Sequence, residues 1–139
     1  MIVVDTNIIV YLYLQGEHTA QAESVLQKDA EWLAPPLWRS EFRNVLAFYL
    51  RQRYLSLEDA RTIMQEAELL LQGREYGVSS PRVLDLAAAS RCSAYDCEFV
   101  ALAQDLDVPL VTADKKVLTA FPETAVSMVA FLSATSKPA

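Results

Sequence analysis

Short apolar runs alternate along the chain with longer stretches whose apolar residues recur every three or four positions. Ile2–Val4, Trp32–Ala34, Tyr76–Val78, Pro109–Thr112 and Ala125–Val129 read as strands. Helices are predicted over Ile8–Leu14, Thr19–Lys28, Leu37–Tyr54, Leu57–Leu71, Pro81–Ser90, Ala94–Leu106 and Lys115–Ala120. Ser56 and Ser80 suit helix starts, and after Ser56 the acids Glu58 and Asp59 fall in the first turn, where the helix dipole favours them. Pro35-Pro36 closes one strand and opens the next helix. Short strands separated by helices predict an α/β fold with a parallel sheet. Such sheets bind ligands beyond the carboxyl ends of their strands.

Four acids stand out against this pattern. In IVVDTN, Asp5 follows the first strand and precedes the almost wholly apolar IIVYLYL. Asp114 follows PLVT and so falls on the same rim. In AYDCEFVALAQDL the apolar stripe contains Tyr95, Phe99, Val100, Leu102, Ala103 and Leu106. Asp96 falls inside it, whereas Glu98 and Asp105 face the polar side. Glu41 lies four residues after Leu37 and four before Val45, inside an apolar arc, while Arg39 and Arg43 project from the far side. Each acid has a plain structural alternative: Asp5 and Asp114 as helix caps, Asp96 as a first-turn acid, Glu41 as the partner of an arginine. Four converging carboxylates would instead repel without a counter-cation, and Mg²⁺ or Mn²⁺ takes such oxygen ligands.

Composition changes the picture little. The 139 residues suit one domain, placed at 1–133, with 134–139 expected to fray. At 53% hydrophobic and 22% charged, the chain is an ordinary globular one. No apolar run reaches the roughly 18 residues of a membrane helix. The N-terminus lacks a basic region, so no secretory signal is expected and the cytoplasm is the default compartment. Cys92 and Cys97 match no zinc spacing and read as reduced core thiols.

The net charge of −6 opposes simple binding to a phosphate backbone. The four acids supply −4 of that −6, and two divalent ions would offset +4, leaving about −2. Arg39, Arg43, Lys115 and Lys116 lie close in sequence to Glu41 and Asp114, so they are candidate RNA contacts on a locally basic rim or simply solvated surface.

VVDTN, WRSEFRNVL, YDCEFVALA and VTADKKVL, in that order and nearly spanning the chain, resemble PIN-domain ribonucleases, most closely the VapC-type toxins of prokaryotic toxin–antitoxin pairs. The resemblance implies an α/β/α sandwich around a short parallel sheet of about five strands. It implies Asp5, Glu41, Asp96 and Asp114 as the acidic set, with Asn7 and Thr112 as polar supports. Cys97 departs from the small residue that many relatives carry after the Asp. The implied activity is Mg²⁺- or Mn²⁺-dependent hydrolysis of RNA phosphodiesters, with Asp5, Asp96 and Asp114 as metal ligands and Glu41 as ligand or water-orienting group. The implied partners are RNA, a small antitoxin and a second copy of the chain.

Other classes remain open on the residues alone. A non-toxin nuclease of RNA processing would carry the same acids. A non-catalytic binding module on this fold would not need all four. An aspartyl-phosphate enzyme of the haloacid-dehalogenase kind wants Asp-x-Asp where this chain has Asp5-Thr6-Asn7, and a receiver domain wants an acceptor Asp where Tyr76–Val78 is followed by Ser-Ser-Pro. The apolar Ile8–Leu14 predicts burial or an interface. The aromatic set Trp38, Phe42, Phe48, Tyr49 and Tyr54 exceeds what one helix face needs for packing.

Overall fold

Ile2, Val3 and Val4 are all buried, so the first strand is covered on both faces. A half-exposed strand would alternate; a fully buried one belongs in a parallel sheet between helical layers. The computed structural model describes residues 1–134. Among these, β1 (Ile2–Val4), β2 (Trp32–Leu33), β3 (Leu110–Val111) and β4 (Ala125–Val126) form one parallel sheet in the order β2-β1-β3-β4. The helices are α1 (Thr6–Tyr13), α2 (Thr19–Lys28), α3 (Leu37–Arg51), α4 (Leu57–Leu70), α5 (Ser80–Ala88), α6 (Ala94–Leu106), α7 (Lys115–Ala120) and α8 (Met128–Ser133). The architecture is the expected three-layer α/β/α sandwich.

Register positions the rim. Val4 pairs with Val111, so the next residues, Asp5 and Thr112, leave the sheet side by side. The Asp5 amide donates to the Val111 carbonyl at 3.0 Å, extending the ladder to the acid itself. The strand order also reverses here: from β1 the chain runs to β2 on one side, then crosses to β3 on the other. That switch point is where open α/β sheets leave a crevice.

The sheet has four strands rather than five. Tyr76–Val78 is not a strand; the residue before it, Glu75, makes one parallel bridge to Ala34. Tyr76 is exposed and Gly77 has no side chain to bury, so the run offers too little apolar surface for a full strand. Ala125–Val129 divides into β4 and α8, with the Ser127 hydroxyl capping the helix at the Ala130 amide. Short apolar runs do not distinguish strand from helix by periodicity alone. Ser56 caps α4 as expected, but Ser79, not Ser80, caps α5. The expected frayed tail lies outside the described residues apart from Ala134, whose carbonyl accepts from Lys28 Nζ at 2.7 Å.

The edge beside β2 is fixed by side chains instead of a ladder. Arg39, on α3, grips Glu75 with two bonds of 2.7 Å and reaches Glu68 on α4 with a third. The fully buried Trp38 donates its indole N–H to the same Glu75 at 2.8 Å. Burial and pairing act oppositely on Glu75, and the Arg39 hydrogen bond wins, holding its carboxyl below the usual value. Glu75→Ala would strand the indole N–H and one face of the guanidinium. The expected loss is about 2 kcal/mol, roughly a 6 °C fall in Tm. A thermal melt within a degree of the parent would mean that this network contributes nothing to stability.

Candidate active site

Asp5 is 8% exposed, although it is charged near neutral pH unless perturbed. Its two oxygens are separately engaged. Oδ1 accepts from the Thr6 amide at 2.8 Å, and Oδ2 accepts from the Thr112 hydroxyl at 2.7 Å. Thr112, itself fully buried, then accepts from the Asp114 amide at 3.0 Å. Asn7 braces the pair: its Oδ1 accepts from the Ala113 amide at 3.2 Å, and its Nδ2 lies 3.5 Å from both Asp5 Oδ2 and Thr112 Oγ1. The turns after β1 and β3 are thereby locked together. Burial is the main influence on Asp5 and raises its pKa to about 6, against the lowering effect of the Thr112 and Thr6 hydrogen bonds. The charges of Glu41 and Asp96 raise it further.

Glu41 comes from the second turn of α3 and is partly buried. Its Oε1 accepts from the Thr6 hydroxyl at 2.7 Å, so α1 and α3 meet through a polar contact at the mouth of the site. It pairs with no arginine. Burial and then the Asp96 charge raise its pKa, against the Thr6 bond. Asp96 sits in the first turn of α6, which Ser93 caps through the Asp96 amide at 3.0 Å. Asp5, Glu41 and Asp96 are therefore one electrostatically coupled group.

Glu98 is an addition that helical phase hid. Phase puts it on the polar side of α6, yet it is partly buried and its pKa is raised, first by burial and then by Glu41. The phase argument treats a helix in isolation; here the charge of Glu41, on α3, is felt at Glu98. Tyr95 errs the other way. Phase puts it in the apolar stripe, yet it is 62% exposed in the first turn of α6.

Asp114 joins the site through the backbone rather than by burial. Its carboxylate caps α7 at the Lys116 amide, 2.9 Å away, and its own amide bonds Thr112. Capping and rim placement coexist here, as they do at Asp5, which caps only the first amide of α1. Of the four cations, Arg39 is committed to Glu75 and Glu68, while Arg43, Lys115 and Lys116 are exposed. His18, remote in sequence, packs its ring at a tilt against Tyr11, 4.6 Å between centroids, and shares a small cavity with Thr112 and Lys115. The thiols of Cys92 and Cys97 are free and buried, as expected.

Among the described residues, no three acids, histidines or cysteines already gather around a point that would hold a metal. The donors are nonetheless hard oxygens, one nearly buried and three coupled by like charge. That set suits a hard divalent cation and would be relieved by one. The raised pKa also fixes a pH dependence. The fold favours protonated Asp5, so this contribution to stability is complete below about pH 3.8 and is lost as pH rises through about 6. The span corresponds to about 3 kcal/mol. In chelator, the stability of Asp5→Asn relative to the parent should grow by up to that amount between about pH 4 and pH 7. Chemical denaturation across this range measures it, and a difference independent of pH would rule out the strained buried carboxylate.

The PIN domain family model matches residues 2–125, from β1 to the first residue of β4. Ribonuclease VapC3 from Pyrobaculum aerophilum is 28% identical over 124 residues, spanning 87% of this chain and 95% of that protein. The crystal structure of PAE2754 from the same organism is alike with a TM-score of 0.70 at 17% identity, over 94% of this chain and 92% of that one. That of FitAcB from Neisseria gonorrhoeae gives 0.73 at 17% identity, over 93% and 99%. At such identity these two structures speak for the fold, and the family match covers every one of the four rim acids: the chain belongs to the PIN domain family.

Proposed function

We propose that this chain is a Mg²⁺- or Mn²⁺-dependent endoribonuclease and the toxin of a type II toxin–antitoxin pair, acting in the cytoplasm. The observation that carries the proposal is the buried Asp5 coupled by charge to Glu41 and Asp96. Similarity to Ribonuclease VapC3 supplies the substrate class. No helix among the described residues is long and apolar enough to cross a membrane.

Asp5, Asp96 and Asp114 would hold the metal, which supplies when bound a water of lowered pKa and positive charge against the phosphate oxygens. Asp5 cannot swing, because both its oxygens are tied to β1–α1 and β3–α7; it offers fixed negative charge. Glu41 is held by one oxygen only, and its raised pKa suits it to orient water and accept a proton as the nucleophile forms. Thr112 and Asn7 fix the Asp5 rotamer and the entry to α7. Phe48, Tyr54, Leu57 and Leu69 leave large apolar side chains exposed around α3 and α4, which supports docking of an antitoxin or a second copy there.

The purified chain should cut RNA with Mn²⁺ and stop in chelator. Asp5→Asn or Asp96→Asn should lose at least about 100-fold, on the order of 3 kcal/mol of transition-state stabilisation. Metal at a hundredfold excess over its Kd should add about 2.7 kcal/mol to the stability of the parent and less to Asp5→Asn. Full activity in either variant, or equal metal stabilisation of both proteins, would remove these residues from the site. Expression of the chain should also arrest growth, and co-expression of a cognate small partner should relieve it. RNA cleavage without growth arrest would mark a nuclease of RNA processing instead.

A further inference from the structure

The four rim cations expected from sequence do not act alike. Arg39 is consumed by Glu75 and Glu68, whereas Arg43, also on α3, is exposed. On the other side of the site, Lys115 and Lys116 are joined by Arg91, from the turn before α6. These three line one groove of about 620 Å³ with Cys92, Thr119 and Ala120. All three cations are exposed, and among the described residues none meets an acid at ion-pair distance. In a chain of net charge −6, three such cations on one concave surface are uncompensated by the protein itself. Lys115 and Lys116 open α7 directly after its capping residue Asp114, so the groove begins beside that rim acid.

Resting on the nuclease reading above, we propose that the groove of Arg91, Lys115 and Lys116 is the track for the phosphates of a single RNA strand on one side of the cleaved bond. The strand therefore leaves over α7 and not over α3. Positive charge beside a cluster of acids separates two tasks: the acids address the reacting phosphate, and the groove neutralises its neighbours. A single strand is required because Asp5 is only 8% exposed at the foot of the crevice. The reacting phosphate must descend to it, a sharp bend that a stiff duplex resists.

The test compares the parent, the triple variant Arg91→Ser/Lys115→Ser/Lys116→Ser and the control Arg43→Ser. Binding of a fluorescent mixed-sequence single-stranded RNA is followed by anisotropy in chelator across a salt series, with melts to check folding. Loss of three phosphate contacts should make the slope of log K against log salt shallower by about 2 and weaken binding roughly 100-fold at about 0.1 M salt. Arg43→Ser should match the parent. With Mn²⁺, the triple variant should raise KM and leave kcat unchanged, since none of the three touches the reacting phosphate. Unchanged affinity and slope in the triple variant, an equal loss in Arg43→Ser, or a parent that does not bind the strand would each overturn the track. A parent that binds through the groove but cuts nothing would instead remove the nuclease reading and leave the track standing.

Discussion

The hydrogen bond from the Thr112 hydroxyl to Asp5 joins the two turns on which the site is built. Burying a carboxylate between them is unfavourable, and the raised pKa records it. The bond is possible only because β1 and β3 pair in a register that sets Val4 against Val111. A slip of one residue would turn one of the two side chains to the opposite face and part them. Asn7 and the amide of Asp114 depend on the same geometry, so the placement of the rim residues and the sheet register are one constraint.

Much of this was legible in the chain. The strand-end positions of Asp5 and Asp114 follow from short apolar runs with an acid directly after them, and the misplacement of Glu41 and Asp96 follows from helical phase. These arguments work because they are local. What was illegible is what depends on a third element. Glu98 faces solvent on an isolated helix and feels the charge of Glu41 only once the chain has folded. The fate of Tyr76–Val78 was hidden for the same reason: whether an extended run becomes a strand depends on the neighbour it meets, and here Arg39 and Trp38 anchor a single bridge. Likewise, nothing in the sequence distinguishes Arg39, tied down by two acids, from Arg43, four residues on.

Structural and chemical explanations of the acids prove compatible. Asp114 caps α7 with one oxygen and belongs to the rim through its backbone. Asp5 caps α1 weakly, at the first amide only, and gives its other oxygen to Thr112. A helix start at the carboxyl end of a strand needs a capping acceptor and also faces the crevice, so one aspartate meets both demands. The plain explanation of such a residue is therefore not evidence against the chemical one.

The strand order has a consequence for how the protein is made. β1 is made before the other described strands, yet it lies inside the sheet, and Val3 pairs with Leu110, which is made much later. Until then Ile2, Val3 and Val4 have an unfilled edge and no cover from α6, an exposure that parallel pairings of long sequence separation impose. The acids come from positions spread between 5 and 114, so no partly made chain holds them together.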